Sequence, residues 1–410
     1  MWDLFVFSII GIFLGSVAGL LPGIHPNQFF LLVVSFLPFL SSFPTETILA
    51  LIINIMVSNI LFNYIPAIFF SVPDPNTVLN ILPGHRMVLD GRGLDALFIS
   101  LCGVLLTTLF SIILLPLLLI LIPILNTFVY PYLHVLLILL SLWMIYLEGD
   151  WKKRFLSLFL YIISGVWGIL CLNSKIIDSE VVLFPALTGM FGLAGILTSI
   201  KENTKFPNQK YVGDVKIGNA SKIVLWALIA GVLIGVLPGA GESQAGVLVS
   251  NITGLGQNEF LGALAGINVS NAIFALVSLY SFGKVRSGSA AAVEAILPKF
   301  TLGYLIFSAG MIAISCGISA ILVWVTGKKL LKFLERLNYK LVSKIIFIFT
   351  VMMVFIFSGL IGVFVLFVST CLGVLPIFWD IKRTSNMGFL MVSTIIYFSG
   401  LTWVLNSILF

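Results

Sequence analysis

Charge is the scarcest thing in this chain. Asp, Glu, Lys and Arg together make up 9% of 410 residues, while apolar side chains supply 60%. An ordinary soluble domain carries roughly 25% charged residues, and a compact body this poor in polar groups has too few of them to cover its surface. A water-soluble globule is excluded, and the chain reads as a polytopic membrane protein. Cysteine is scarce too. Cys102, Cys171, Cys316 and Cys371 stand far apart in apolar stretches and form no CxxC, so neither a disulfide framework nor a zinc site follows. His25, His85 and His134 fall at no ligand spacing, no cofactor motif is present, and no nucleophile–base pair stands out for an intramembrane enzyme. The N-terminus lacks a basic region and a small-residue cleavage site, so a cleaved signal peptide is not expected. The 22 Lys and Arg exceed the 16 Asp and Glu, but they sit in short loops between apolar runs. That placement speaks of topology and against a nucleic-acid partner, which would gather them on one face.

What the chain has in abundance is apolar run length. About 20 residues are needed to span a bilayer as a helix, and clean candidates lie at 47–70, 95–118, 127–147, 155–174, 181–200, 259–283, 300–326 and 388–410. The run 341–379 is too long for one span, and Ser358-Gly359 divides it. In 95–126, Pro116 and Pro123 end or kink the helix. The amphipathic run Lys328–Lys340 is expected in the cytoplasmic interface. Basic clusters at 152–154, 201–222, 328–344 and 382–383 orient the chain, since Lys and Arg stay cytoplasmic. Both termini are then expected outside a multi-pass cell-membrane protein.

Two segments are apolar but broken. The first reads GSVAGLLPGIHPNQ from Gly15, the second GVLIGVLPGAGESQ from Gly231. Six of the fourteen positions agree at a shift of 216 residues, including the Pro-Gly pairs Pro22-Gly23 and Pro238-Gly239. Downstream, Val57-Ser58-Asn59 parallels Val269-Ser270-Asn271, and Ile81-Leu82-Pro83 parallels Ile296-Leu297-Pro298. An odd number of crossings between the copies inverts the second one, the arrangement of secondary transporters with a site at the repeat interface. The fold expected is all-α and polytopic, with two Pro-Gly-broken re-entrant hairpins and about ten crossings. Residues 1–200 form the first repeat plus extra helices, 201–222 a basic cytoplasmic loop, and 223–410 the inverted second repeat plus C-terminal helices. The glycine ladder Gly11, Gly15, Gly19, Gly23 also fits close helix packing, but packing does not account for the polar tips IHPNQ and AGESQ.

A broken helix frees N–H groups that suit an anion and C=O groups that suit a cation. Gly23, Gly239 and Gly241 allow a ligand close to the backbone, and Asn27, Gln28, Ser243 and Gln244 add neutral hydrogen bonds. Asn59, Asn268 and Asn271 extend the candidate substrate site, although Asn and Ser also glue membrane helices together. Glu242 is the one acid in either break and the candidate ion-coupling group, as a proton carrier or part of a cation site. Arg86, Arg92, Lys284 and Arg286 follow the two Ser-Asn helices and are candidates for the anion's approach route, or else solvated loop charges.

GVLPGAGESQ and Asn268-Val269-Ser270-Asn271-Ala272, with Leu21-Pro22-Gly23 and the segment Ser71–Leu97, resemble the large membrane subunit of tripartite tricarboxylate transporters. The chain departs from that family's pattern at Pro73-Asp74-Pro75 and at Ile267. The resemblance implies a permease for a small organic anion, di- or tricarboxylate-like, working by alternating access with a coupling cation, proton or sodium. It also implies a solute-binding protein and a small membrane subunit as partners, alongside membrane lipid. The alternative is a translocase for a phosphorylated polyprenyl lipid, whose phosphate the same breaks would hold. No catalytic residue, metal or cofactor is expected.

Overall fold

The computed structural model describes residues 2–21, 40, 42–71, 81–173, 179–199, 207–210, 217–236, 245–246, 249, 254–283, 288–297, 299–335 and 339–401. Every regular element among them is helical, as a bilayer requires when no water is present to satisfy free backbone groups. Among the described residues, seven helices are long and apolar enough to cross a membrane: Trp2–Leu20, Thr45–Phe70, Gly93–Ile113, Trp151–Leu172, Gln257–Phe282, Leu302–Leu334 and Ser343–Trp379. Leu115–Leu125, Leu133–Tyr146, Val181–Leu197 and Ala220–Ile234 are shorter apolar helices.

In chain order, α1 (Trp2–Leu20) is followed by α2 (Thr45–Phe62) and α3 (Tyr64–Phe70). The bend at Asn63 has a local cause: Pro66 has no N–H to give the Phe62 carbonyl. Helix α4 (Ile81–Leu89) leads through a turn at Gly91 to α5 (Gly93–Ile113) and α6 (Leu115–Val129). The crossing expected at 95–118 therefore stops at Ile113. Pro116 falls in the first turn of α6, where a missing N–H leaves no hydrogen bond unmade. After a 3-10 turn come α7 (Leu133–Tyr146) and α8 (Trp151–Asn173). Helices α9 (Ser179–Leu187) and α10 (Ala194–Ser199) are joined by a π turn at Thr188–Leu193.

The second half brings α11 (Ala220–Val236), α12 (Gln257–Phe282), α13 (Gly288–Ile296), α14 (Leu302–Leu334), α15 (Tyr339–Trp379) and α16 (Gly388–Phe398). The basic run from Lys328, expected as an interfacial segment, continues α14 to Leu334 and buries Leu331 and Leu334. Its Lys and Leu residues are good helix formers with no breaker among them. At 33 residues the helix is about 50 Å long, well beyond a hydrocarbon core of about 30 Å. Helix α15 is interrupted at Gly359 (φ 62°, ψ −161°), at the Ser358-Gly359 break read from the sequence. The last crossing, expected at 388–410, is described as α16 up to Phe398, and 402–410 lie outside the described residues.

The helices gather into two bundles. The core contains α1, α2, α5, α11, α12 and α14, with α2 and α12 almost wholly buried at its centre. An arm contains α7 to α10, α15 and α16. The arm is close-packed at glycines: a Cβ at Gly168 would strike the Phe389 carbonyl, and one at Gly388 the Tyr161 carbonyl. A hydrogen bond between the Ser157 and Ser385 hydroxyls (2.8 Å) and one from Ser164 Oγ to Asn386 Oδ1 (3.1 Å) seal α8 to the segment leading into α16.

Candidate functional site

The two Ser-Asn helices sit at the core centre, each packed closely against a neighbouring helix at small residues. A Cβ at Gly11 would lie 2.7 Å from the Leu51 carbonyl and one at Gly19 2.6 Å from the Asn59 carbonyl, so α1 and α2 touch backbone to backbone. At Gly15 a Cβ would collide with the Ser58 hydroxyl, and at Gly231 with the Ser270 hydroxyl. Ser58 Oγ donates to the Asn54 carbonyl (2.7 Å) and lies 3.5 Å from the Gly11 carbonyl. Ser270 Oγ lies 3.0 Å from the Ile267 carbonyl and 3.1 Å from that of Ala227. Gly11 and Ala227 correspond at the same 216-residue shift as the glycines. The sequence repeat is thus a repeat of contacts.

Each pair is parallel. Gly11, Gly15 and Gly19 meet successively later residues of α2, and Ile223, Ala227 and Gly231 meet Gly262, Gly266 and Ser270. The pairs run opposite ways. Phe69, Leu97 and Gly327 meet at one level, near the end where α5 begins and α14 finishes. Helix α12 starts at this same end, where Gly103 abuts Gly262 and Gln257 Nε2 donates to the Pro83 carbonyl (3.2 Å). Here α2–α3 finishes and α12 begins. Packing is also exchanged between the halves: α5 lies on α12 and α14 on α2.

A polar clamp closes this end. Gln209 Oε1 accepts from Gly93 N (2.8 Å), its Nε2 donates to the Val88 carbonyl (2.8 Å), and its backbone N–H donates to Glu335 (2.6 Å). Gly91, at φ 77°, makes room for Asn208, whose carbonyl would lie 2.8 Å from a Cβ there. Arg92, expected on the anion's approach route, is held by the buried Asp95 at 2.9 Å, while Arg86 is exposed.

Of the candidate substrate residues, Asn59 and Asn268 are buried and Asn271 is partly buried. Asn268 Nδ2 donates to Tyr64 Oη (2.9 Å), which donates to the Ala265 carbonyl (3.0 Å). Asn268 therefore ties α12 to α3, one half to the other. Its Oδ1 has no hydrogen-bond partner among the described residues, nor has Asn54 Oδ1. Gly23, Asn27, Gln28, Gly239, Gly241, Glu242, Ser243, Gln244, Lys284 and Arg286 lie outside the described residues. Tyr64 was not among the residues singled out from the sequence, and a lone hydroxyl after Asn63 carries no pattern there. The Gly262, Gly266, Ser270 ladder was readable, being small residues at four-residue spacing.

An all-helical, multi-pass membrane protein centred on two matched helix pairs is the class these contacts define. Within it, the chain belongs to the tripartite tricarboxylate transporter TctA family, which matches residues 5–388. Members of that family are membrane permeases of systems that also contain a binding protein and a small subunit. The chain is also similar to an uncharacterized protein of Methanocaldococcus jannaschii, 27% identical over 404 residues, covering 96% of this chain and 98% of that one. No solved structure matches.

Proposed function

We propose that this chain is the permease of a cation-coupled secondary carrier for a small di- or tricarboxylate, moving its substrate by alternating access. The family match over nearly the whole chain carries this reading; it lends no support to a polyprenyl-phosphate translocase. The opposite run of the two helix pairs, with helices exchanged between halves, supports an inverted repeat. In that reading the breaks after α1 and α11 form hairpins over 15–43 and 231–252 and meet near the midplane. Their free N–H groups face the carboxylates, Asn27, Gln28, Ser243, Gln244 and Asn271 orient the substrate, and Glu242 carries the proton or accompanies the sodium. The N-terminus lies outside and the Gln209 end faces the cytoplasm, with Lys210 and the basic end of α14 beside it. A solute-binding protein delivers the anion, and the small membrane subunit completes the assembly.

The test is uptake of labelled citrate, succinate and inorganic phosphate into proteoliposomes holding the chain with its partner subunits, under imposed proton and sodium gradients. Glu242→Gln keeps the shape and removes the titrating charge, so exchange should persist while uphill uptake falls to the level of empty vesicles. Asn271→Ala should instead raise the half-saturating substrate concentration about tenfold, the loss of one or so good hydrogen bonds. Uphill uptake by Glu242→Gln at the parent rate would move the coupling site elsewhere.

A further inference from the structure

The turn between α7 and α8 and the end of α15 together carry a cationic cluster that the proposed transport cycle does not use. Arg154, at the start of α8, lays its guanidinium over the Tyr146 ring, 4.6 Å from Cζ to the centroid, and over the Trp151 ring at 5.5 Å. Its Nε donates to the Glu148 carbonyl (3.0 Å). Lys382, just past the end of α15, reaches the same turn. Its Nζ lies 3.4 Å from the Leu147 carbonyl, and its backbone N–H donates to Glu148 Oε1 (2.9 Å). Two cations are therefore held on consecutive carbonyls of one turn.

The acids nearby leave Arg154 unpaired. Lys153 takes Asp380 (2.5 Å), buried Glu148 is turned to the Lys382 amide, and Asp150 is exposed in the turn. Among the described residues no carboxylate forms an ion pair with Arg154 or Lys152, and the Arg154 Nη groups have no hydrogen-bond partner. Residues 147–154 and 380–383 carry five basic side chains against three acidic ones, so the junction keeps an excess of positive charge.

Its depth follows from the helices. One candidate span, α8, begins here and another, α15, ends here, with the Trp379 and Phe159 rings 6.3 Å apart just below. Trp151 is 82% exposed, Tyr146 64% and Phe155 67%. Exposed Trp and Tyr at the ends of spans sit at headgroup level, where the strong acceptors within reach of a guanidinium are lipid phosphates.

We propose that this junction is a headgroup site for an anionic phospholipid, whose phosphate is held by the Arg154 Nη groups and the Lys382 ammonium. The guanidinium fork matches two phosphate oxygens, and stacking on two rings and the bond to Glu148 fix it before the lipid arrives. A choline headgroup fits less well: the ring faces that would take a quaternary ammonium are covered by the guanidinium, and its charge meets two others of the same sign. Basic residues at the membrane surface attract anionic lipid in any case; here the rings and carbonyls turn that attraction into a fixed site. The bound lipid braces the α7–α8 turn to the end of α15, and the site stands whichever substrate the broken segments carry.

Thermal unfolding of the purified full chain in neutral detergent tests it, with phosphatidylglycerol or phosphatidylcholine added to the micelles at equal mole fraction. A parallel sample receives inorganic phosphate at constant ionic strength. A ligand bound only by the folded state raises the melting temperature, and phosphatidylglycerol should raise it by about 2 °C or more beyond phosphatidylcholine. Arg154→Gln and Lys382→Gln should each lose at least half of that difference. Lys329→Gln, which removes the same charge from an exposed position on α14, should keep it. The difference between the two lipids is read within each variant, so a variant that is merely less stable still reports. No preference for phosphatidylglycerol in the parent, an undiminished preference in Arg154→Gln or Lys382→Gln, or an equal loss in Lys329→Gln overturns the proposal. So does a shift from inorganic phosphate as large as that from phosphatidylglycerol, which would make the occupant a soluble oxyanion.

Discussion

Gly15 and Gly231 set an interhelical distance by what they lack. Each faces a serine hydroxyl on the partner helix, so any side chain there must push two backbones apart. Gly15→Leu and Gly231→Leu should each destabilise the protein by about 1–3 kcal/mol, as overpacking does in a close-packed interior, and lower its melting temperature in detergent. Ser270→Ala should cost less, about 0.6 kcal/mol, since interhelical hydrogen bonds in membranes are modest. At Tyr64 the balance is different. Its hydroxyl serves both Ala265 and Asn268, and Tyr64→Phe leaves the Asn268 amide without that partner in a dry interior. The expected cost is about 1–3 kcal/mol. Tyr64→Phe combined with Asn268→Leu, which removes both polar groups, should melt closer to the parent than Tyr64→Phe alone.

At the scale of elements, prolines and glycines decide where helices stop, but their surroundings decide how. Pro116 was read as an end or a kink. It became the first turn of a new helix because Leu114 leaves helical geometry (φ −86°, ψ 3°) just before it. Pro66 bends α2 into α3 without ending the run, since the Asn63 and Ala67 amides keep their bonds at 3.0 and 3.2 Å. Gly359 is the clearest case. Its backbone (φ 62°, ψ −161°) lies in a region that is essentially glycine's alone. Gly359→Ala should cost about 1–3 kcal/mol and lower the melting temperature, whereas Gly310→Ala, a helical position with open space around it, should leave it unchanged or slightly raised.

For the whole molecule, the testable consequence is sidedness. Lys210 donates its backbone N–H to the Gly91 carbonyl (2.8 Å) and so belongs to the clamped end. Lys332 lies in the last turn of α14. Single cysteines at Lys210 and Lys332, in a background with the four native cysteines replaced, should resist an impermeant maleimide in intact cells and react in inverted vesicles. Labelling of either site in intact cells would reverse the assigned orientation. The clamp also explains why the 201–222 segment is more than a topogenic charge cluster: Gln209 fastens it to both α5 and α14.

Composition and run length were enough to establish a multi-pass helical protein, and the repeated Gly-x-x-x-Gly spacing marked two matched, close-packed helix pairs. These are local properties, because hydrophobic length and backbone freedom are written residue by residue. The roles of Asn54, Ser58 and Asn268 were not legible. A buried polar side chain on a helix can face a ligand or a neighbouring helix, and its spacing is the same in both cases. Only the fold turned Ser58 toward the Gly11 backbone and Asn268 toward Tyr64. Arg383 makes the same point from the other side: the sequence places it in a basic loop, and the fold lays it against Phe191 and Gly195, 192 and 188 residues away in the chain. Contacts between residues so distant depend on how every helix between them packs, and no local pattern encodes that.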